Sequence, residues 1–325
     1  MANLPLALTC ADYAHVTPLA LGEVRPDGID LTLVHGSLGS WPTRAEMLRR
    51  AIHDPAVHGG EGSVAGHVRR IDQGDRSMVG LPIFVLRNFT ARDLYVRKGG
   101  PIKQAADLKG KRIGMYNWVA SGSVWYRHFL NHIGVPIDSL QWWIGDIDTP
   151  TAYTHAAPLP KGINAPDKGR FLSEMLIAGE LDAIYSPPRP RRYHPTEGPI
   201  IRLFPDCRTV ERDYFRTTRC FPPQHLMIVK RDAWVTNPWI ARSLTDAFVR
   251  CQDRFVATQR NFPYVSPWLD MEMEETAAVF GADFHPHGLE KARHEMDAFC
   301  EQAYRAGLTS RRVSVDECFQ EYLQS

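Results

Sequence analysis

The sequence predicts an α/β protein of two lobes around a central cleft, with a helical C-terminal part. Three observations carry this. Short apolar runs of strand composition alternate with stretches of helical spacing up to Asn237-Pro238, and helical patterns follow. A break at Arg97-Lys98-Gly99-Gly100-Pro101 is followed by a fresh α/β unit. The chain's 325 residues are too many for one ordinary core and suit two.

The elements follow in order. Leu4–Leu8 is a short apolar run and reads as a buried strand, Val24–Asp30 as a turn, and Leu31–Val34 as a second strand. Thr43–Ile52 has helical spacing in Ala45, Leu48, Ala51 and Ile52, with Thr43 and Glu46 placed as a capping box. Val79–Val85 and Leu94–Val96 are further strands, and Lys111–Met115 is the first strand of the new unit, after a short helix and turn at Ala106–Gly110. Small residues at Ala120–Trp125 open a helix over Val124–Ile133 that stops at Gly134-Val135-Pro136. A helix over Phe171–Ala178 ends at Gly179 and leads into a strand over Leu181–Tyr185. A stiff basic loop, Pro187–Arg192, follows, and then a strand at Leu226–Val229. Helices are expected over Trp239–Thr258, Met271–Phe280 and Leu289–Ala306.

Composition excludes several classes. A net charge of +1 predicts neither nucleic acid nor membrane as a partner. The N-terminal stretch lacks a basic region and a long apolar run, so a cytoplasmic protein is expected. The six cysteines form no Cys-x-x-Cys pair and read as free, mostly buried thiols. Pro286 splays His285 and His287, so no metal site is expected there. Gly59-Gly60-Glu61-Gly62 lacks the Lys-Ser/Thr of a phosphate loop and reads as a glycine-flanked loop. Trp142-Trp143 reads as core.

Two phrases, Asp107–Gly114 and Gly179–Ala183, resemble the second lobe of type II periplasmic binding proteins. Others narrow the likeness: Asp12-Tyr13, Gln73-Gly74-Asp75, Leu94–Arg97, Leu203–Asp206, Asp213–Thr218, Phe221-Pro222 with His225, and Asp283-Phe284 with Gly288. In this order, over nearly the whole chain, they resemble the 4,5-dihydroxyphthalate decarboxylases. That resemblance implies removal of one carboxylate from a dihydroxylated phthalate without an organic cofactor. It also implies a discontinuous first lobe at 1–96 and 222–325, a second at 97–221, and a ligand between them. The sequence departs from the family pattern at Ala91, at Tyr116-Asn117-Trp118 and at Gln224, all where the substrate should lie. A non-catalytic binding protein for a small organic anion, or another lyase on the same fold, are the competing readings.

Such a decarboxylation needs an acid near the ring, a base that polarises a phenol, and cations for the retained carboxylate. His225 matches the family motif and can exchange a proton near neutral pH. Glu61, followed by Ser63 as in the family, can polarise a phenol or position His225. Asp12 and Tyr13 end the first strand, where cleft residues collect. For the anion, the amides of Ser121, Gly122 and Ser123 at a helix start are candidates, with a plain cap as the competing reading. Arg216 and Arg219 can fork a carboxylate, with Arg87 and Arg189 as weaker choices, and Asn117 joins the substrate contacts from the altered loop. The helical C-terminal half offers a face for a homodimer.

Overall fold

The computed structural model describes residues 2–36, 41–151, 159–261 and 266–325, apart from the side chains of 36, 41–43, 260 and 261. Ten strands are described: β1 Leu4–Ala11, β2 Ile29–Gly36, β3 Gly59–Ser63, β4 Met78–Arg87, β5 Leu94–Arg97, β6 Arg112–Met115, β7 Gln141–Ile144, β8 Ala183–Tyr185, β9 Ile200–Arg202 and β10 Pro223–Lys230. The chain divides into two compact units. One comprises Met1–Arg87, Pro223–Cys300 and Arg311–Ser325, and the other Asn88–Pro222 and Glu301–Ser310.

The first unit is built on a sheet ordered β2-β1-β3-β10-β4. β1 runs parallel to β2 and β3, whereas β10 is antiparallel to β3 and β4. Alternation on β4 sends Val79, Leu81, Ile83 and Val85 into the core, with Leu6 and Leu8 of β1 and Met227 and Val229 of β10. Ile240, Leu244 and Phe248 join them from the helix Ile240–Asn261, spaced one turn apart on one face. Fully burying a side chain of this size contributes roughly 1.5–3 kcal/mol, so this seam holds the unit together. Pro82 is tolerated within β4 because that strand lies at the sheet edge.

The glycine-flanked loop of the sequence reading is instead the central strand β3. Glycine is a poor strand former by propensity, but this strand needs what only glycine offers. A Cβ on Gly60 would lie 2.0 Å from Thr9 Oγ1, and one on Gly59 would lie 2.2 Å from the Ile228 carbonyl. Both residues also have positive φ, +151° at Gly60 and +148° at Gly59. β1 and β10 can therefore close on β3 from both sides and bury Glu61 between them.

The second unit has its own sheet, ordered β7-β6-β8-β5-β9, with β6 parallel to β7 and β8, and β5 antiparallel to β8 and β9. Leu94–Val96, expected in the first lobe, is thus a strand of the second. Its backbone is satisfied by β8 and β9 on either side. The segment Glu301–Ser310, also expected in the first lobe, groups with the second unit, where Gln302 accepts a hydrogen bond from Asn131 at 3.3 Å.

Helices at Trp41–His53, Leu172–Ala178, Ile240–Asn261, Leu269–Phe280 and Leu289–Arg305 match the periodic segments. Gly179 ends its helix in the left-handed conformation, φ +79°. The Thr43 side chain, read as a cap, lies outside the described residues. The helix read from Val124 begins a turn earlier, at Ser121. Helices Val64–Asp72 and Cys207–Thr218 and strands β7 and β9 are additional to the expected elements, although Val64, Val68 and Ile71 recur at helical spacing and bury one face. No disulfide joins any of the six cysteines, and five of them are buried. Among the described residues no helix is long and apolar enough to cross a membrane.

Two histidines of the first unit are buried, His67 and His287, and two more, His15 and His285, are half-buried and packed against each other, with His285 beside His287. His287 Nδ1 accepts from the Phe84 amide at 3.1 Å and must be unprotonated to do so, whereas the His67 Nε2 donates to the Cys318 carbonyl at 2.7 Å, a bond that favours the charged ring but is outweighed by burial. Burial pushes His15 and His67 down to about 4, and His285 and His287 well below the ordinary range. Unfolded imidazoles protonate near pH 6.5. Between about pH 6.5 and 4, therefore, the unfolded chain binds protons that the folded one refuses, and stability falls as pH falls. We expect denaturant unfolding to show a loss of several kcal/mol from pH 7.5 to 4.5, because each ring kept neutral costs roughly 1.4 kcal/mol for every pH unit below its unfolded pKa. A flat stability over that range would mean these rings are not held neutral.

Candidate active site

The site forms at the carboxyl edge of the parallel strands, where α/β sheets collect ligands. β3 delivers Glu61 and Ser63, β1 ends at Ala11 just before Tyr13, and antiparallel β10 enters this edge with His225. His225 is in register with Ser63, and Met227 with Glu61, so Glu61 and His225 are diagonal neighbours on one face of the sheet. Irregular pairing with β4 on both sides of His225 turns the strand locally, the usual way a bulge re-aims a side chain.

Glu61 is fully buried. Its Oε1 accepts from the Tyr13 hydroxyl at 2.7 Å and meets His225 Nδ1 at 2.5 Å, while its Oε2 accepts from the Ala11 amide at 3.1 Å. Burial alone would raise its pKa, but the bonds from His225, Tyr13 and Ala11 and the charge on His225 outweigh it and hold the carboxyl below its usual range. Glu61 is therefore an anion at neutral pH. Burial first, and the Glu61 charge second, push the Tyr13 phenol up, so it stays a donor. With Nδ1 engaged by a carboxylate, His225 keeps Nε2 for other partners, and its side chain remains 14% exposed. A solvent-reachable imidazole oriented by a buried carboxylate is suited to general acid and base work.

The structure thus brings together His225, Glu61 and Tyr13 from the sequence-derived candidates. Tyr13 serves Glu61 rather than a ligand. Ser63 stands next to them but caps the helix Val64–Asp72, accepting from the Gly66 amide at 3.3 Å. Asp12 is exposed just past the strand and is outside this hydrogen-bond set.

The expected cations each have a place within their own unit. Arg87 is buried in a 2.7 Å ion pair with Glu295 and donates to the Pro286 carbonyl, which makes it a core residue. Arg216 lies in the second unit, 63% exposed and paired with Asp213 one turn away. Arg189 and Arg219 also belong to that unit, packed over Tyr193 and Phe215. Ser121, Gly122 and Ser123 do open a helix, Ser121–His132, in that unit. Ser123 is committed to the Asn117 carbonyl at 2.5 Å, and the Asn117 side chain to the Val119 amide at 2.8 Å, so both organise their own loop.

Three residues near these groups escaped the sequence reading. His15 stacks on Tyr13, 5.4 Å between ring centres. The Arg44 guanidinium lies over the same ring, 5.8 Å from the Tyr13 centroid. In the second unit Arg127 is fully buried, donates to the Trp118 carbonyl at 3.1 Å and lies 4.0 Å over the Trp118 ring. Burial pushes its pKa down to about 9, so it remains a cation at neutral pH. Nothing in the spacing of these three separates them from ordinary helix and loop residues. Among the described residues no group of three or more His, Cys, Asp or Glu could hold a metal ion.

No family model matches the chain. It is similar to a 4,5-dihydroxyphthalate decarboxylase of Comamonas testosteroni, 28% identical over 98% of this chain and 97% of the relative. A second protein of that name, from Pseudomonas putida, is 29% identical over 66% of this chain and 83% of its own length. Among solved structures, the periplasmic aliphatic sulphonate binding protein SsuA of Escherichia coli matches over 97% of both chains, with a TM-score of 0.53 and 12% identity. The periplasmic sulfonate-binding protein SsuA of Methylobacillus flagellatus matches over 98% of this chain and 92% of its own, with a TM-score of 0.52 and 13% identity. Those two show the fold alone. Two mixed sheets, a likeness to binding proteins in structure, and a nearly full-length likeness to enzymes in sequence agree: the chain is a relative of the 4,5-dihydroxyphthalate decarboxylases, built on the periplasmic-binding-protein fold.

Proposed function

We propose that the protein is a carboxy-lyase that removes one carboxylate from a hydroxylated aromatic acid, 4,5-dihydroxyphthalate or a close relative, using its own side chains for the proton transfers. The observation that carries this is the Glu61–His225 pair, a buried carboxylate holding an accessible imidazole by Nδ1. The nearly full-length likeness to one decarboxylase, with a shorter match to a second, supports the substrate class.

The chemistry follows from the substrate. Direct loss of carbon dioxide would leave an aryl anion. A hydroxyl para to the departing carboxylate opens another route. As that hydroxyl loses its proton, electron density moves to the carbon bearing the carboxylate. His225, protonated and stabilised by Glu61, delivers a proton from Nε2 to that carbon. The bond to the carboxylate then breaks, its electron pair restores the aromatic ring, and carbon dioxide leaves. The phenolate regains the proton it released once the ring is restored, so one proton is taken up overall, and it replaces the lost carboxylate on the ring. Tyr13 and the Ala11 amide keep Glu61 ionised and fixed throughout.

Incubation with a panel of hydroxylated aromatic acids, led by 4,5-dihydroxyphthalate, should release carbon dioxide from at least one of them. Binding of such acids with no release from any would leave a binding protein and remove the lyase reading.

A further inference from the structure

The acid–base reading leaves an electrostatic problem. Glu61 is already an anion, and a phthalate brings two further negative charges to it. Like charges in a partly desolvated site repel strongly, so the site needs a cation of its own. Arg87, the sequence-derived candidate in the same unit, is neutralised by Glu295.

We propose that Arg44 is the carboxylate-binding residue of the Glu61–His225 site, a proposal that rests on the reading above. The topology places it there. The helix Trp41–His53 follows β2, so its first turn comes back over the carboxyl edge of the parallel strands, the edge that carries Tyr13, Glu61 and His225. Met47, one turn further along that helix, is buried in the core of the unit, which fixes the face from which Arg44 projects. The half-buried Arg44 guanidinium lies 5.8 Å from the centre of the Tyr13 ring. That ring is itself anchored through its hydroxyl to Glu61 at 2.7 Å. Arg44 is thereby docked on a side chain fixed to the catalytic pair. A position in the first turn of a helix disfavours a cation on dipole grounds, so local helix stability does not account for an arginine here. A planar guanidinium suits a carboxylate held at two points beside an aromatic ring.

The test uses Arg44→Gln and Arg44→Lys in the full chain, each checked by thermal unfolding. Turnover is measured on 4,5-dihydroxyphthalate and on a dihydroxybenzoate with a single carboxylate. Binding of unreactive phthalate is measured by calorimetry. Arg44→Gln should raise KM for the dicarboxylate and Kd for phthalate by roughly tenfold or more while kcat stays within about threefold. The monocarboxylate should suffer less, and Arg44→Lys should recover part of the loss. Unchanged KM and Kd in a folded Gln variant would overturn the proposal and leave Arg44 as packing for Tyr13, as would a fall in kcat alone. Should wild-type protein bind phthalate in an Arg44-dependent way yet release no carbon dioxide from any acid, Arg44 stands and the lyase reading falls. Absence of both binding and turnover in the wild type overturns both.

Discussion

The His225→Asn protein should bind its aromatic acid with near-normal affinity and decarboxylate it about 10²–10⁴-fold more slowly, the range a positioned general acid contributes. Asparagine keeps a polar side chain of similar reach but cannot carry a proton to carbon. The site should tolerate the change, because His225 is partly exposed and sits where the pairing of β10 is already irregular. Binding energy held elsewhere should persist, so the loss falls on kcat rather than on substrate affinity. Single-turnover release of carbon dioxide, with calorimetry on the same sample, separates the two quantities. Near-normal single-turnover rates would take His225 out of the proton transfer. The remaining role would then be structural, a link between β10 and Glu61.

Most of the fold was legible because long periodic segments declare themselves. The helix Ile240–Asn261 and the alternating strand β4 each bury one face, and that leaves a readable period. The failures are equally physical. β3 reads Gly-Gly-Glu-Gly-Ser, which by propensity is a loop, and only the approach of Thr9 and Ile228 on its two sides makes it a strand. The helix Cys207–Thr218 is polar over most of its surface, with only Tyr214 and Phe215 buried. In the site, His225 and Glu61 could be picked out, with positioning His225 as one of two roles open to Glu61, and only the fold, which joins two residues 164 positions apart, decides between those roles. The arginines were the weakest part of the reading. A guanidinium looks the same in sequence whether it meets Glu295 in a core, as Arg87 does, or lies exposed on a helix, as Arg216 does. Position in the sheet topology, which a linear pattern does not contain, is what separates Arg44 from them.

Replacing Glu61 by Gln should lower kcat by about 10²-fold or more and move the alkaline limb of the pH–rate profile to lower pH. Glu61 accepts three hydrogen bonds through two oxygens, two of them at Oε1. An amide offers one accepting oxygen and one nitrogen that can only donate. If its oxygen takes the place of Oε1, the Ala11 amide loses its acceptor; if it takes the place of Oε2, Tyr13 and His225 lose theirs. Either arrangement leaves a buried donor unsatisfied, at a cost of about 1–3 kcal/mol of stability. The larger effect is electrostatic. A protonated imidazole beside a neutral amide has lost the negative charge that stabilises it, so the proton needed at the ring carbon is held less well at any given pH. Glu61→Asp supplies the control, since it keeps the charge with a shorter reach and should restore part of the pH profile whatever it does to packing. The informative comparison is the pH dependence of kcat/KM across the three proteins, with melting temperatures alongside. If Glu61→Gln melts earlier but keeps both the rate and the shape of that profile, Glu61 is a buried structural carboxylate, and the imidazole works without it.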